Sequence, residues 1–225
     1  MVNRIKTVVQ KAYPDAKVLV FGSCATGLNL PNSDIDLLVY YPAVKEITMI
    51  NRISSELVKS RICASIEPIK HAKVPIIKLQ DKETNINVDL SFNRENGIYC
   101  VQLVKQLLKK YPELRPLLLV LKCFLKSRSL NETYHGGVSS FLLTMLVTSY
   151  LQNAYKKSHT KQICSTNQTD LGKHLVDFLE LYGTLFNYED IGISIRKSGR
   201  YFLKEKRGWE GWDERSRFRL CVENP

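Results

Sequence analysis

Residues 19–40 read LVFGSCATGLNLPNSDIDLLVY, and the order of their elements decides the fold of the N-terminal part of the chain. Val18, Leu19, Val20 and Phe21 form a short apolar run with β character. It ends at Gly22, a residue type that takes backbone angles others avoid. A Gly-Ser turn and a loop or short helix follow. Pro31-Asn32-Ser33 is a turn signal, and Asp34-Ile35-Asp36-Leu37-Leu38-Val39 then reads as a second strand. Alternate side chains of a strand share a face. The spacing therefore sends Asp34 and Asp36 to one side and Ile35, Leu37 and Val39 to the core. Two carboxylates side by side repel, so the pair calls for a cation.

A cation-holding pair behind a Gly-Ser turn suits nucleotidyl transfer. In that chemistry two Mg²⁺ (or Mn²⁺) ions, roughly 3.5–4 Å apart, activate an attacking hydroxyl and stabilise the leaving pyrophosphate, and carboxylates must hold both. Gly22 and Ser23 would offer a backbone N–H and a hydroxyl to phosphate oxygens. A third acid is available in the strand Ile86–Phe92. There Ile86, Val88, Leu90 and Phe92 share one face, and Asn87, Asp89 and Ser91 the other. If this strand lies beside the Asp34 strand, Asp89 completes a three-carboxylate cluster. Each acid alone would read as a solvated strand residue; the set carries the argument.

The 225 residues are 44% hydrophobic, ordinary for a globular chain and enough to bury a sizeable core. A formal net charge of +11 favours a polyanionic partner, nucleic acid or anionic lipid. Cys24, Cys63, Cys100, Cys123, Cys164 and Cys221 are scattered, with no C-x-x-C and no close Cys/His cluster. That argues against zinc and for reduced thiols in an intracellular protein. The longest apolar runs, Leu117–Leu121 and Phe141–Val147, are too short to span a bilayer, so no membrane is expected.

In chain order, Ile5, Val8, Val9 and Ala12 mark a helix over Val2–Tyr13 that Pro14 ends. Ile47, Ile50, Ile53, Leu57 and Val58 mark an amphipathic helix that covers the sheet. Cys63–Leu79 reads as strands and residues 81–85 as a polar turn. After Asn93 short strands give way to long helices, which places a boundary there: a catalytic domain over 1–93 and a mainly helical domain over 94–225. Helices are expected over Ile98–Lys110, Pro112–Ser127, Val138–Asn153 and Leu171–Phe186, with their apolar stripes as core and Lys156–Thr169 as a surface loop. The chain from Ile193 reads as short β structure and then strongly basic.

Further residues have candidate chemistry. Lys122 and Lys126 lie four apart on one helix face, within reach of a triphosphate or simply solvated. Ser139 and Ser140 sit in the first turn of the helix after Gly136-Gly137, where they suit an anion or plain capping. Phe141 beside them could stack on a base or fill core. Arg196, Lys197, Arg200, Lys204, Lys206 and Arg207, continued by Arg215, Arg217 and Arg219, alternate with Tyr201, Trp209, Trp212 and Phe218. That mixture suits single-stranded nucleic acid, or a solvated face.

Taken together, these motifs resemble the noncanonical poly(A) RNA polymerases of the DNA polymerase β-like nucleotidyltransferase superfamily, in particular the nuclear branch that adds short oligo(A) tails to aberrant RNAs. FGSCATGLNLPNSDIDLLV is similar to the branch's signature, and VPIIKLQDKETNINVDLSFNRENG to the segment with its third aspartate. LKCFLKSRSLNETYHGGVSSF resembles the central-domain helix pair, and DFLELYGTLFNYEDIGISI with LCVENP the poly(A)-polymerase-associated region. The resemblance implies an α+β fold with the active site in a cleft between a small mixed-sheet domain with flanking helices and the helical domain.

It further implies that Asp34, Asp36 and Asp89 hold two Mg²⁺ ions, that Gly22 and Ser23 hold the β- and γ-phosphates, and that Asn96 and Gly97 lie near the ribose. Lys122, Lys126, Ser139 and Ser140 would meet the triphosphate, and Phe141, where the family usually has a tyrosine, would stack on the base. The substrates implied are ATP and an RNA 3′ end; the partners, a zinc-knuckle RNA-binding protein and an RNA helicase; the place, the nucleus. The family continues past its Asp-Pro-like element, here Glu223-Asn224-Pro225, into a base-reading loop. A terminal uridylyltransferase of the same fold, and a catalytically weak RNA-binding subunit of a tailing complex, are the alternatives.

Overall fold

The computed structural model describes residues 1–31, 33–72, 74–160, 170–209, 214–223 and 225. The chain divides into two compact units, Met1–Lys105 and Gln106–Pro225.

In the first unit, α1 (Val2–Ala12) leads through Tyr13-Pro14 to β1 (Lys17–Val20), a five-residue α2 (Gly22–Thr26), β2 (Ile35–Tyr40), α3 (Glu46–Ser60), β3 (Cys63–Ile69), β4 (Ile76–Asp81) and β5 (Asn87–Phe92). The sheet order is β1-β2-β5-β4-β3. Only β2 and β5 run parallel; the other neighbours are antiparallel. One face of the sheet is apolar because the period-2 pattern sends Leu37, Val39, Ile77, Leu79, Val88, Leu90 and Phe92 to it. These residues form one core with Ile5, Val8 and Val9 of α1 and Met49, Ile50, Ile53 and Leu57 of α3. Ile47 and Val58, expected on the buried stripe of α3, are instead 52% and 63% exposed. Met49 takes a place in the core that the apolar spacing had not assigned.

A buried clasp fixes the turn between β4 and β5. Asp81, 1% exposed, accepts from Arg4 of α1 at 2.7 and 2.9 Å and from the backbone and hydroxyl of Thr84 at 2.9 and 2.7 Å. Burial works against the charge of Asp81, but the Thr84 bonds and the Arg4 guanidinium overcome it and hold the carboxyl below its usual range.

Division into units falls inside α4 (Glu95–Lys110), later than the expected 93/94 boundary. The first turns of that helix belong to unit 1: Gly97 lies against the ring of Phe21, with room for a Cβ only at 3.4 Å. In unit 2, α5 (Leu114–Ser127) packs on α6 (Ser140–Thr160) and α7 (Leu171–Glu180). The core of unit 2 includes Leu114, Leu117, Leu118, Leu121, Leu146, Val147, Leu151 and Phe178. Helix α6 runs through Thr160, so the expected loop at Lys156–Thr169 starts as helix; residues 161–169 lie outside the described residues. α7 ends in a π-type turn over Leu181–Leu185 rather than continuing to Phe186. Leu171 and Leu179, expected in the core, are 39% and 42% exposed. The β-like tail is a sheet of order β7-β6-β8, made by β6 (Ile191–Ser194), β7 (Arg200–Leu203) and β8 (Cys221–Val222). Between β7 and β8 comes the short α8 (Glu214–Arg217). No helix of the described residues is long and apolar enough to cross a membrane.

Candidate active site

The parallel pairing of β2 with β5 places Asp36 directly opposite Asp89, both on the face away from the core. Asp34 comes just before β2 rather than in it, because the loop after α2 ends one residue later than the sequence pattern suggests. It still acts on Asp89. Burial raises the Asp89 pKa first, Lys78 opposes the shift, and the charge of Asp34 adds to it. Lys78 stands across from Asp89 on β4, so Asp36, Asp89 and Lys78 form one in-register row. Sequence reasoning missed Lys78, since only the β4–β5 register brings it there.

Gly22 sets the distance between the turn and this row. Its φ is +63°, in the left-handed region, and a Cβ there would lie 2.0 Å from Oδ2 of Asp36. Glycine is required on both counts. The Phe21 N–H donates to the Asp36 carbonyl at 3.0 Å, pinning the end of β1 to the same strand. Ser23 is half-buried in α2, and its carbonyl accepts from Leu28 N–H and the Thr26 hydroxyl. Gly97 lies against the ring of Phe21, the residue before the Gly-Ser turn, and Asn96 is exposed. Asn93 was also missed. It sits at φ +51° and ties the ends of β2 and β5 together: its side chain accepts from Tyr41 N–H at 2.7 Å and donates to the Tyr41 and Val44 carbonyls.

The remaining candidates belong to unit 2. Lys122 is half-buried on α5 and Lys126 is exposed one turn later. Ser139 caps α6, its hydroxyl accepting from Leu142 N–H at 3.2 Å, so the capping alternative holds for this residue. Ser140 is exposed and Phe141 half-buried at the start of the same helix.

The basic tail needs correction. Lys204 is only 1% exposed, and its ammonium donates to the carbonyls of Tyr188, Arg217 and Arg219. It is a structural cation, not an RNA contact. Arg207 lies over the ring of Phe202, 3.8 Å from its centre, and pairs with Glu223 at 2.9 Å. Arg196 is 56% exposed but shares Glu223 at 3.4 Å. Lys197, Arg200 and Lys206 are exposed. Trp212 lies outside the described residues.

As metal ligands, Asp34, Asp36 and Asp89 are an all-oxygen set suited to Mg²⁺ or Mn²⁺. Among the described residues, however, no three Asp, Glu, His or Cys side chains converge on one point. Asp36 and Asp89 are the gathered pair. Asp34, one residue before β2, lies outside the ladder that registers the other two but close enough for its charge to act on Asp89. The donor chemistry of the three acids fits the ions.

Residues 1–109 match the family model described as the central palm domain of mitochondrial-like poly(A) RNA polymerase, and residues 170–225 match that of the Cid1 family of poly A polymerases. The poly(A) RNA polymerase cid14 of Schizosaccharomyces pombe is 38% identical over 214 residues, which cover 93% of this chain and 31% of that protein. A Drosophila melanogaster relative whose name marks it as an inactive member is 35% identical over 232 residues, covering 100% of this chain and 55% of it. The chain thus spans between about a third and about half the length of these relatives. Among solved structures, the polymerase core of TRAMP, an RNA surveillance complex, superposes with a TM-score of 0.83 at 32% identity, covering 100% of this chain and 69% of that one. The mixed sheet, the Gly22 turn and the paired Asp36 and Asp89 thus sit in a chain that belongs to the noncanonical poly(A) RNA polymerase family, with its nucleotidyltransferase fold.

Proposed function

We propose that the chain is the polymerase core of an RNA 3′-terminal nucleotidyltransferase that adds AMP from ATP without a template, in RNA surveillance and decay. One observation carries this reading: the in-register Asp36–Asp89 pair, with Asp34 beside it and Gly22 packed against Asp36. An inactive relative exists, so similarity alone does not settle activity. The three acids supply the independent support, because a protein that only bound RNA would gain nothing from clustered carboxylates facing a polyanion.

In this reading the RNA 3′ oxygen attacks the α-phosphorus of ATP, one P–O bond forms, the bond to pyrophosphate breaks, and the hydroxyl proton is lost. Asp34, Asp36 and Asp89 would hold the divalent ions, which supply charge neutralisation at the attacking and leaving oxygens. Asp89 orients the attacking hydroxyl. Gly22 and Ser23 present the turn to the β- and γ-phosphates, and Lys122 and Lys126 would neutralise them. Ser140 would add a phosphate contact and Phe141 a stacking surface for the base, while Asn96 and Gly97 stand by the ribose. Exposed Lys197, Arg200 and Lys206 remain the candidates for RNA contact. A nuclear site of action, a zinc-knuckle protein and an RNA helicase as partners belong to the same proposal, supported by the family and by the likeness to the core of a surveillance complex.

The test is extension of a 5′-labelled single-stranded RNA with Mg²⁺ and each NTP separately, beside Asp89→Ala. The expected result is a ladder with ATP that falls about a thousandfold in the variant, the size of effect that losing a metal ligand has on a phosphoryl transition state. A ladder with UTP instead overturns the assignment of the base. No ladder with any NTP, with RNA still bound and Asp89→Ala binding it equally, overturns the enzyme reading.

A further inference from the structure

A groove of about 510 Å³ opens beside Asp34. The loop after α2 and the turn between β4 and β5 form its two banks. Leu30 and Ile86 give it apolar walls, and the amides of Asn29, Asn85 and Asn87 give it polar ones. The volume lies within the range of sites that enclose small organic groups. Among the residues that line it, Asp34 alone is charged.

Three properties say what would fit. First, no cation among the described residues lines the groove, and the carboxylate of Asp34 would repel a phosphate, so an RNA backbone does not belong in it. Second, the side-chain amides of Asn29, Asn85 and Asn87 make no hydrogen bond with another described residue. Toward the described residues each keeps two donor hydrogens and one acceptor oxygen for a ligand, the complement of the mixed donor and acceptor edge of a nucleobase. Third, the Asn85 bank is held rigid without help from a ligand. Asn85 takes a left-handed φ of +55°, its N–H donates to the Asp81 carbonyl at 2.9 Å, and Asp81 is fixed by Arg4 and Thr84. A preorganised bank binds with little ordering cost.

Register fixes where the groove stands relative to the chemistry. Asn87 and Asp89 are two apart on β5 and share its outer face, about 7 Å from each other along the strand. A base in the groove therefore stands about one nucleotide's reach from a hydroxyl at Asp89.

We propose that this groove receives a nucleobase from the 3′-terminal segment of the acceptor RNA, sandwiched between Leu30 and Ile86 and hydrogen-bonded by Asn29, Asn85 and Asn87. The inference rests on the reading of the chain as an RNA 3′-end nucleotidyltransferase. It gives the acceptor strand an uncharged anchor beside the carboxylates, where sequence-tolerant amides can grip any base by its edge.

The test pairs the double variant Asn85→Gly/Asn87→Ala, glycine being the residue that keeps the left-handed backbone at position 85, with RNAs that lack the base at one of the last three positions. The double variant should raise the KM for intact RNA about tenfold, the size of one good amide–base contact, with the KM for ATP unmoved. Wild type should suffer a similar loss on one of the abasic RNAs, and on that RNA the double variant should lose nothing more. Both substituted side chains are exposed and glycine tolerates the left-handed φ of position 85, so thermal melting should not change and a folding defect is excluded by that measurement. An unchanged KM for RNA, or abasic and protein losses that simply multiply at every position, would overturn the inference while leaving the enzyme intact. If wild type extends no RNA with any NTP, the failure lies in the parent reading. Anisotropy of fluorescent RNA in EDTA then decides the groove by itself: an equal Kd for wild type and double variant rejects it, and a tenfold weaker one sustains a base-binding groove.

Discussion

The acidic edge of unit 1 and the basic tail of unit 2 treat their charges in opposite ways. At the edge, Asp89 stands opposite Asp36 and feels Asp34, so burial and like charge both disfavour its ionised form. In the tail, Lys204 is surrounded by carbonyls, while Arg207 and Arg196 converge on Glu223. The first arrangement costs stability that Lys78 offsets only in part; the second closes a three-stranded sheet. Like charges held together by a rigid sheet therefore mark chemistry, whereas a basic run must be divided residue by residue before any of it is assigned to RNA.

The sharpest way to break this contrast is within the tail itself. Lys204→Met leaves the carbonyls of Tyr188, Arg217 and Arg219 without their donor, and should cost about 3 kcal/mol in urea unfolding. It should leave the salt dependence of RNA binding as it was. Lys206→Ala should do the reverse. Stability should stay within about 0.5 kcal/mol of wild type, and the slope of log K against log salt should flatten by about 0.7, the share of one phosphate contact on a single strand. A destabilised Lys206→Ala with an unchanged slope would remove the distinction between the two lysines.

At the acidic edge the corresponding probe is Gly22→Ala. The added methyl would enter the space of Asp36 Oδ2, at 2.0 Å, on a backbone with φ of +63°. Destabilisation of about 2 kcal/mol is expected from the strain alone. Tailing should fall further than that loss of folded protein explains, with a raised KM for ATP, because relief of the clash displaces the carboxylate and the turn together. A variant that is destabilised yet tails normally at low temperature would detach the turn from the nucleotide.

Much of the edge was legible in the sequence, for a physical reason. Strand periodicity is local, so Asp36 and Asp89 could be given a face from their own neighbours; that their strands are adjacent stayed a condition, which the β2–β5 pairing meets. Lys78 and Asn93 could not be found that way. Lys78 meets Asp89 only through the antiparallel register that the Asp81–Asn85 turn imposes, and Asn93 matters because the chain returns to Tyr41 and Val44. Asp34 was misplaced by one residue because a strand's first hydrogen-bonded position depends on how the preceding loop lands. In the tail, composition showed a basic run but not which member folds inward. That choice depends on carbonyls 13 to 16 residues away, which no periodicity reveals.

The smallest effect separates the two regions by sign. Ser194, then Arg207 and Arg196, hold the Glu223 carboxyl below its usual range, although burial pulls the other way. A depressed folded pKa contributes stability above the unfolded value of about 4.3, and that stability is lost as pH falls through the folded pKa. Glu223→Gln should therefore be less stable than wild type by about 1 kcal/mol at pH 7, a partly screened ion-pair contribution, with the difference closing in acid. Asp89 is shifted upward, so its charge costs stability above the folded pKa and costs nothing below the unfolded one. In EDTA, Asp89→Asn should be more stable than wild type at neutral pH, and that gain too should vanish as pH falls. Urea unfolding from pH 3 to 8 measures both. Opposite signs at neutral pH with a common limit in acid would show that Glu223 is placed for the fold and Asp89 against it. Matching signs would mean that the aspartates are held by partners of their own, and the contrast between edge and tail would fail.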